Sequence, residues 1–438
     1  MDQFANKAPN LKGDLPAAAR RVSSTPIQVR VTETLFDAPS SEERLDKKPP
    51  IVQFARKLAT SSFGLWVRIS GKIARHFGWF PSVEPYIGYG TDRYARLICR
   101  TVLAPKNGHH SALKRGIYAM LVVPAIRVKV ALSIDNVAVE WAQVGDSSVY
   151  DKPDSAYNSS AEYCVSDCSG YLDLVTERSL LPGEHKVSYK VDNRNPVEAS
   201  MFVISEQTPL GIISDVDDTI MVTQAPSPLR AAYNLLIMNP EHRHAVDGMS
   251  RFFRRIKDSI PSTPFFYLST SPWNVEASIR HFILREGFPA GPLLLRDLDP
   301  RPKTFVPTGP QHKLEFAQQL MDDFPDMRFV LIGDDGQKDP STYAKIIEKF
   351  PNRVLAVGIR QLKKDATLVD FRRSMSKNFG VTLASSRVAK TCNDIFVEAK
   401  GAAGTFEGVP FFAAQNGNLL EDIMIPFIMD SVNCKESF

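Results

Sequence analysis

One stretch of this chain, residues 210–219, sets an apolar run directly against a cluster of carboxylates. Its first four residues, Leu-Gly-Ile-Ile, form a short apolar run of the kind typical of a buried strand. Ligands of an open α/β sheet bind at the carboxyl ends of its strands. The stretch therefore predicts an α/β fold in which a buried strand delivers acids to one site. The polar residues at its end are Asp215, Asp217, Asp218 and Thr219.

The crowding of these acids is unfavourable unless a cation neutralises them. Neighbouring carboxylates repel, so that one of them tends to keep its proton. A divalent cation removes the repulsion, and Mg²⁺ prefers carboxylate, water and phosphate oxygens. Because residues two apart in extended backbone point the same way, we expect Asp215 and Asp217 to face one reaction centre. The alternative is a solvated turn with Thr219 as a helix N-cap, but the apolar strand before it favours a reactive site.

A second apolar run ends in hydroxyl residues. Residues 264–268 are Pro-Phe-Phe-Tyr-Leu, and Ser-Thr-Ser follows. A hydroxyl at the end of such a strand donates a hydrogen bond to a phosphate oxygen. Ser269 lies directly after the run, so it is preferred over Thr270 and Ser271 for this role. Ordinary turn chemistry is the alternative.

A cation and two further acids complete the pattern. Lys313 opens a segment with helical spacing of its apolar residues, and a Lys near a helix N-terminus opposes the helix dipole. That placement favours a Lys that faces a phosphate over a purely structural one, with the neighbouring His312 as the weaker alternative. Residues 328–332 form another apolar run, and the Gly-Asp-Asp-Gly after it allows a tight loop. The acids of this loop, Asp334 and Asp335, are candidate metal ligands.

These four motifs, in this order, resemble the haloacid-dehalogenase superfamily of phosphohydrolases. The resemblance implies an α/β catalytic domain with a Rossmann-like parallel sheet. It also implies that Asp215 is a nucleophile that forms an aspartyl-phosphate and that Asp217 is the general acid and base. The phosphate-binding residues that it implies are Thr219, Ser269 and Lys313. The ligands that it implies for a Mg²⁺ cofactor are Asp215, Asp217, Asp334, Asp335 and Asp339.

A narrower resemblance covers roughly residues 80–365. The segments that carry it are residues 213–219, 267–274, 289–297, 331–336 and 339–340. They look like the actin-patch-protein type of phosphatidate phosphatase, and residues 85–91 are similar to the segment that opens its bacterial versions. The family usually has Ser where this chain has Asp335, and we expect the extra carboxylate to alter metal affinity or the pH optimum.

The resemblance implies that the substrate is phosphatidate or a related phospholipid. The residues alone predict only a phosphomonoester. Two alternatives therefore stay open. One is a phosphatase of the same fold that acts on a soluble sugar or nucleotide phosphate, and the other is a non-catalytic lipid-binding protein.

A length of 438 residues predicts two or three domains. Period-two alternation after about residue 86 predicts strands, and the pair Asp135-Asn136 between two such runs predicts a hairpin turn. Several such runs with turn signals predict a β-sandwich. A small cap helix is predicted at residues 229–236. The predicted organisation is a disordered tail (1–49), a basic amphipathic helical segment (50–85), the β-sandwich domain (86–205), the phosphatase domain (206–365) and a C-terminal α/β extension (366–438) that extends or covers the sheet.

The segment at residues 51–80 contains five cations and no acid. A basic amphipathic helix of this kind lies on anionic lipid. The alternative is a helix packed on the following domain with its cations in water, and the sequence leaves both open.

Composition narrows the partners and the compartment. A formal net charge of +4 is too small to predict nucleic-acid binding. Five dispersed Cys indicate free thiols in a reducing compartment. The first residues lack the pattern of a signal peptide, and no apolar run has the length of a membrane span. We therefore expect a cytoplasmic protein with peripheral membrane contact.

Overall fold

The structure is a computed structural model that describes residues 65–66, 68–105, 123–138, 143–144, 164–165, 170–176, 180–222, 243–296, 309–363, 367–385, 387–390 and 395–433. The predicted disordered tail and the predicted cap helix at residues 229–236 lie outside these ranges. In the described part of the chain, no helix combines the length and the apolar character needed to cross a bilayer.

The first described element is a helix, α1, seen at residues 65–66 and 68–76. Gly78 follows it with a φ of 74°, the left-handed conformation that commonly ends helices. The chain then enters strand β1 (Phe80–Pro85), which pairs antiparallel with a later strand. The prediction of a helical segment through residue 85 is therefore wrong for its last six residues, because the turn at Gly78 ends the helix.

The next region is rich in strands, as the alternation predicted. It contributes β2 (Gly88–Gly90), β3 (Ala95–Ala104), β4 (Lys129–Ile134), β5 (Val137–Ala138), β6 (Gln143–Val144), β7 (Cys164–Val165), β8 (Tyr171–Thr176), β9 (Gly183–Val191) and β10 (Val197–Val203). With β1, these strands form one ten-stranded sheet in the order β5-β4-β9-β10-β2-β3-β8-β6, with β1 on β3 and β7 on β4. The predicted division into the two sheets of a sandwich is not confirmed.

The predicted hairpin in this region is confirmed at its turn. Asp135 and Asn136 have φ values of 49° and 65°, the left-handed conformation that a two-residue type I′ turn requires at both positions. The turn pairs Ile134 with Val137. Short polar side chains tolerate this backbone, which explains why these two residues stand between the apolar strands.

The second sheet contains β11 (Leu210–Asp215), β12 (Phe265–Pro272), β13 (Leu293–Arg296), β14 (Arg328–Asp334), β15 (Val354–Arg360), β18 (Ala402–Phe406) and β19 (Val409–Ala414). Its order is β13-β12-β11-β14-β15-β19-β18, and only β18 runs antiparallel. A separate two-stranded sheet joins β16 (Arg387–Lys390) to β17 (Ile395–Glu398). The predicted mixed α/β architecture with a parallel sheet is confirmed.

Helices cover both faces of this sheet. They are α2 (Met249–Ser259), α3 (Glu276–Arg285), α4 (Gly309–Asp323), α5 (Asp339–Lys349), α6 (Leu368–Phe379) and α7 (Gly417–Asn433). Successive residues of β11 point to opposite faces, so Ile212 packs in the cluster that includes α2 and α7, and Ile213 packs in the cluster that includes α4 and α5. A strand covered on both sides must be apolar throughout, which accounts for the run at residues 210–213.

The C-terminal part of the chain does both things that the sequence left open. Strand β19 pairs with β15 and extends the sheet, and β18 adds an antiparallel edge. Helix α7 packs on the sheet and against α2, with Leu420, Met424 and Ile428 fully buried. The parallel sheet therefore includes residues well beyond the predicted boundary at 365.

The β-rich domain contacts the second sheet through the segment at residues 86–90. Tyr89 is fully buried in the core cluster of the α/β domain, and its hydroxyl donates to Asp323 Oδ2 at 3.0 Å. Tyr86 stacks on Trp273, with ring centroids 4.7 Å apart. Trp273 follows β12, the strand that carries Ser269.

A buried acid at this junction makes a testable prediction. Glu276 is 1% exposed, and among the described residues neither of its carboxylate oxygens has a hydrogen-bond donor. Burial raises its pKa to about 7; Arg280 opposes the shift and Glu84 on β1 adds to it. The folded protein thus binds more protons than the unfolded chain between about pH 4.5 and 7. Stability should fall as pH rises through that interval, by about 3 kcal/mol from this group.

Urea unfolding at pH 5 and pH 8, followed by tryptophan fluorescence, measures this effect. Between pH 5 and pH 8, Glu276→Gln should lose less stability than wild type does, and it should be more stable than wild type at pH 8. The matched control is Glu348→Gln, which removes an exposed carboxylate from α5 and should keep the wild-type behaviour. Equal pH dependence in wild type and Glu276→Gln would show that the acid does not titrate in this range.

Candidate active site

The predicted motifs meet because three of the strands that carry them are parallel neighbours. Strand β11 lies between β12 and β14, with Asp215 paired to Leu268 and Ser214 paired to Ile332. The carboxyl ends of the three strands therefore lie side by side. Asp215 and Asp334 end β11 and β14, and Ser269 follows the Leu268 that pairs with Asp215. Each of the three is 3% exposed or less.

Asp215 is held from two sides. Lys313 Nζ lies 2.7 Å from Oδ1, and Thr219 Oγ1 donates to Oδ2 at 3.0 Å. Thr219 reaches back because the chain makes a tight turn at Asp218. Asp218 has a φ of 56°, and the Asp218 N–H donates to the carbonyl of Met221. Thr219 thus fixes the orientation of the Asp215 carboxylate rather than capping a helix in solvent.

Lys313 bridges two carboxylates. Its Nζ also contacts Asp339 Oδ1, and the side chain is 3% exposed. Burial alone would lower the pKa of this Lys, but the charges of Asp215 and Asp339 outweigh it and raise the pKa, so the ammonium stays charged. The alternative candidate, His312, packs its ring edge-on against Phe316 at 4.8 Å.

Asp217 occupies a different environment from Asp215. Its Oδ2 accepts hydrogen bonds from Ser269 Oγ at 2.8 Å and Ser271 Oγ at 3.3 Å. Among the described residues, Oδ1 has no hydrogen-bond partner. Burial raises the pKa of Asp217, and the hydrogen bond from Ser269 and the charge of Lys313 oppose the shift. This carboxyl is suited to carry a proton on Oδ1.

The prediction that a continued strand joins Asp215 to Asp217 is wrong, whereas the prediction that the two acids face one reaction centre stays a prediction. Strand β11 ends at Asp215, and the chain turns there. Asp217 is buried nearby but contacts the serines of β12, so it contributes no atom to the acid cluster around Asp215.

That cluster consists of Asp215, Asp334 and Asp339, each of which offers one carboxylate oxygen, and these three oxygens lie within 4.8 Å of one another. Asp334 Oδ1 accepts from the backbone N–H groups of Gly336 at 2.6 Å and Gln337 at 3.1 Å. Its Oδ2 has no hydrogen-bond donor within the described part of the chain. Burial and then Asp339 raise the pKa of Asp334 to about 8.

The neighbouring residue Gly333 makes room for this arrangement. A Cβ at Gly333 would lie 2.5 Å from Asp339 Oδ2. Glycine therefore lets the start of α5 approach the end of β14, where Asp339 Oδ2 lies 3.4 Å from the Asp334 N–H. One backbone position thus permits the two acids to converge.

Asp335 does not join the cluster. Its Oδ1 accepts from the backbone N–H of Leu362 at 2.8 Å, which turns the carboxylate towards the end of β15. The geometry therefore does not support Asp335 as a metal ligand, and Asp217 is likewise outside the cluster of Asp215, Asp334 and Asp339 that the described residues form.

This placement changes the expected effect of the extra carboxylate. Asp335→Asn keeps an oxygen to accept the Leu362 N–H and leaves the three clustered acids untouched. We expect the Mg²⁺ concentration that half-saturates the cluster, followed by its effect on thermal unfolding, to change by less than about threefold, because the three carboxylates that Mg²⁺ prefers as ligands are kept. Asp334→Asn is the contrasting variant, and a metal titration of both measures the difference. Equal weakening in the two would place Asp335 at the metal.

Two arginines near the site carried no motif. Arg360 ends β15, and its Nη1 donates to the carbonyl of Asp218. Arg243 is 6% exposed, and burial lowers its pKa to about 10 while the charge of Asp217 opposes this. The rule that ligands bind at strand carboxyl ends points to Arg360, whereas no motif marks Arg243.

The comparisons with known proteins agree with this location. Residues 210–361 match the family model for the catalytic domain of phosphatidate phosphatase APP1. Phosphatidate phosphatase APP1 of Saccharomyces cerevisiae is 28% identical over 205 residues, which are 45% of this chain and 34% of that protein. An uncharacterized protein of Schizosaccharomyces pombe is 26% identical over 163 residues, 37% of this chain and 27% of that protein. The chain thus spans about a third of the length of these relatives.

Solved structures match more loosely. A class C acid phosphatase from Bacillus anthracis has a TM-score of 0.23 at 16% identity, covering 39% of this chain and 62% of that one. The HAD domain of the effector Lem4 from Legionella pneumophila has a TM-score of 0.25 at 12% identity, covering 40% and 97%. The segment that matches the family model, residues 210–361, contains Asp215, Asp217, Ser269, Lys313, Asp334 and Asp339. Over residues 210–361, the chain is therefore similar to the catalytic domain of phosphatidate phosphatase APP1.

Proposed function

We propose that this protein is a phosphatidate phosphatase that hydrolyses the phosphomonoester of phosphatidate to diacylglycerol and phosphate. The observation that carries the proposal is the contact of Lys313 with Asp215 and Asp339, next to an Asp217 that Ser269 holds. It supplies a nucleophile, a cation and a proton donor at one sheet edge. The similarity to the catalytic domain of phosphatidate phosphatase APP1 supports the lipid substrate. In this proposal the catalytic domain has the haloacid-dehalogenase fold.

The three clustered acids fit a Mg²⁺ ion. They bring three buried carboxylates together with one Lys, which leaves an excess of negative charge. Asp334 Oδ2 is an orphaned buried oxygen among the described residues, and hard carboxylate oxygens are the ligands that Mg²⁺ prefers. We propose that Asp215, Asp334 and Asp339 hold the ion. When bound, Mg²⁺ would neutralise the phosphate and orient it.

The first half of the reaction forms an aspartyl-phosphate. A carboxylate oxygen of Asp215 attacks phosphorus, and the bond from phosphorus to the glycerol oxygen breaks. Asp217 gives its proton from Oδ1 to the leaving alkoxide, which would otherwise be a poor leaving group. The cationic Lys313 offsets the charge on the phosphate oxygens, where transition-state charge is spread. Ser269 and Thr219 keep the two carboxylates in their separate orientations.

The second half regenerates the enzyme. Asp217, now a carboxylate, takes a proton from a water molecule as the oxygen of that water attacks phosphorus. The bond between phosphorus and Asp215 breaks, releasing phosphate and restoring the Asp215 carboxylate. The opposing environments of the two acids support this division of labour, because Lys313 contacts Asp215 directly and Asp217 keeps one oxygen for the proton.

Phosphate release from phosphatidate in mixed micelles, with Mg²⁺ or with EDTA, tests the proposal. We expect release that depends on Mg²⁺ and exceeds release from para-nitrophenyl phosphate. Hydrolysis of para-nitrophenyl phosphate alone would favour a phosphatase of soluble phosphomonoesters. No hydrolysis of either would favour a non-catalytic lipid-binding protein. Because phosphatidate resides in membranes, we further propose that the protein works in the cytoplasm at a membrane surface.

A further inference from the structure

Helix α1 carries an exposed apolar stripe. Its members recur every four residues, which places them along one side of the helix over about 18 Å, at 1.5 Å per residue. They are large and are left in solvent: Leu65 is 59% exposed, Ile69 48%, Ile73 52% and Phe77, just after the helix, 74%. Exposed apolar surface arranged in a contiguous row marks an interaction site rather than a chance exposure.

The stripe is not the face by which the helix packs on its own domain. That face includes Ala74, which is 5% exposed and belongs to the core cluster of the β-rich domain. Trp79 packs partly against the same cluster. The helix is therefore anchored on one side and leaves the apolar stripe available. The alternative from the sequence, a helix whose apolar side is buried on the next domain, accounts for Ala74 but not for the stripe.

The charges beside the stripe select its partner. Arg68, Lys72 and Arg75 are exposed on the adjoining side of the helix. The segment from residue 51 to residue 80 contains no acid. Apolar side chains bordered by cations match an anionic lipid surface, in which the former enter the acyl boundary and the latter meet headgroups. A second copy of this helix would instead bring like charges together.

We propose that α1 docks the protein on an anionic membrane through the apolar stripe, with Arg68, Lys72 and Arg75 at the lipid headgroups. This docking rests on the proposed function in one respect, which is that the substrate is itself an anionic lipid. The connection to the site is short and structured. Strand β1 leads from α1 to Tyr86, which stacks on Trp273 just beyond the strand that carries Ser269.

Co-sedimentation of the full chain with vesicles tests the docking without using the substrate. The vesicles contain phosphatidylcholine alone or phosphatidylcholine mixed with phosphatidylserine. We expect wild type to bind only the mixed vesicles. The double variant Ile69→Ser with Phe77→Ser should bind them at least about tenfold more weakly, because burying even one large apolar side chain strengthens binding by more than a factor of ten. The triple variant Arg68→Gln, Lys72→Gln and Arg75→Gln should bind the mixed vesicles more weakly than wild type, and its binding should depend less on salt.

Leu181→Ser is the matched control. Leu181 is 77% exposed on the same domain but stands outside the stripe, so its loss should leave vesicle binding unchanged. All variants should keep wild-type hydrolysis of para-nitrophenyl phosphate in solution, which shows that they fold. Binding by the double variant equal to wild type would overturn the proposal. The proposal would also be overturned if wild type were a dimer and the double variant a monomer while both bound vesicles equally. A second copy of the chain would then cover the stripe.

The outcomes separate the docking from the catalytic proposal. If wild type binds the mixed vesicles but releases no phosphate from phosphatidate, the docking proposal stands and the proposed substrate is wrong. If wild type hydrolyses phosphatidate in micelles but does not bind the mixed vesicles, the proposed activity stands and the docking proposal is wrong.

Discussion

Replacing Asp215 with asparagine is expected to abolish phosphate release, by about four orders of magnitude or more, as for loss of other covalent nucleophiles. The amide keeps the shape of the side chain, and its oxygen still accepts from Thr219. It lacks the negative oxygen that attacks phosphorus. Lys313 keeps Asp339 as a partner, so the variant should fold. Phosphatidate hydrolysis in mixed micelles with Mg²⁺ measures the loss.

A chemical readout separates a lost nucleophile from a damaged site. Acid-quenched wild type should contain a phosphorylated chain that hydroxylamine cleaves, as expected for an acyl phosphate, and Asp215→Asn should contain none. Asp217→Asn serves as the comparison, since it keeps the nucleophile and removes only the proton donor, with an expected loss of about 10²- to 10⁴-fold. Asp215→Asn activity within tenfold of wild type would exclude the aspartyl-phosphate route.

The convergence of the motifs could be predicted because it follows from the sheet alone. Each motif stands after an apolar run, and parallel strands bring their carboxyl ends to one edge. This is why Asp215, Ser269 and Asp334 are adjacent as expected. Lys313 could be placed too, because the apolar spacing put it in the first turns of a helix.

The directions of individual carboxylates could not be predicted in the same way. Asp217 turns towards Ser269 because the chain leaves β11 at Asp215 and turns at Asp218, and the residue pattern does not give the direction of that turn. Asp335 turns away because it accepts the backbone N–H of Leu362, which is distant in sequence. Both outcomes depend on contacts between elements rather than on local spacing.

The β-rich domain shows the same limit at a larger scale. Alternation identified strands such as β4 and β9, and the turn at Asp135 was visible as a polar pair. Which strands pair is set by contacts far apart in the chain, so the single sheet could not be derived from period two. The burial of Tyr89 in the neighbouring domain is also a long-range feature, and its flanking glycines were the only local signal.

We expect Lys313→Met to be inactive and to have a lower free energy of unfolding than wild type. The change leaves Asp215 and Asp339 buried without their shared cation. Breaking a buried ion pair by removing one partner destabilises a protein by about 3–5 kcal/mol. Urea unfolding in EDTA measures the loss. Burial already raises the pKa of Asp215, so the variant should recover part of its stability at low pH, where the acids are protonated.

Added Mg²⁺ should stabilise Lys313→Met more than it stabilises wild type, because an ion at Asp215, Asp334 and Asp339 replaces the lost positive charge in the acid cluster. This comparison follows stability, so it reports on the metal site even in an inactive variant. Lys345→Met, which removes an exposed Lys from α5, is the control and should unfold as wild type does. If Lys313→Met matched wild type in EDTA, the clustered acids would already be neutral through shared protons. The cation at Lys313 would then act on the phosphate and not on the fold.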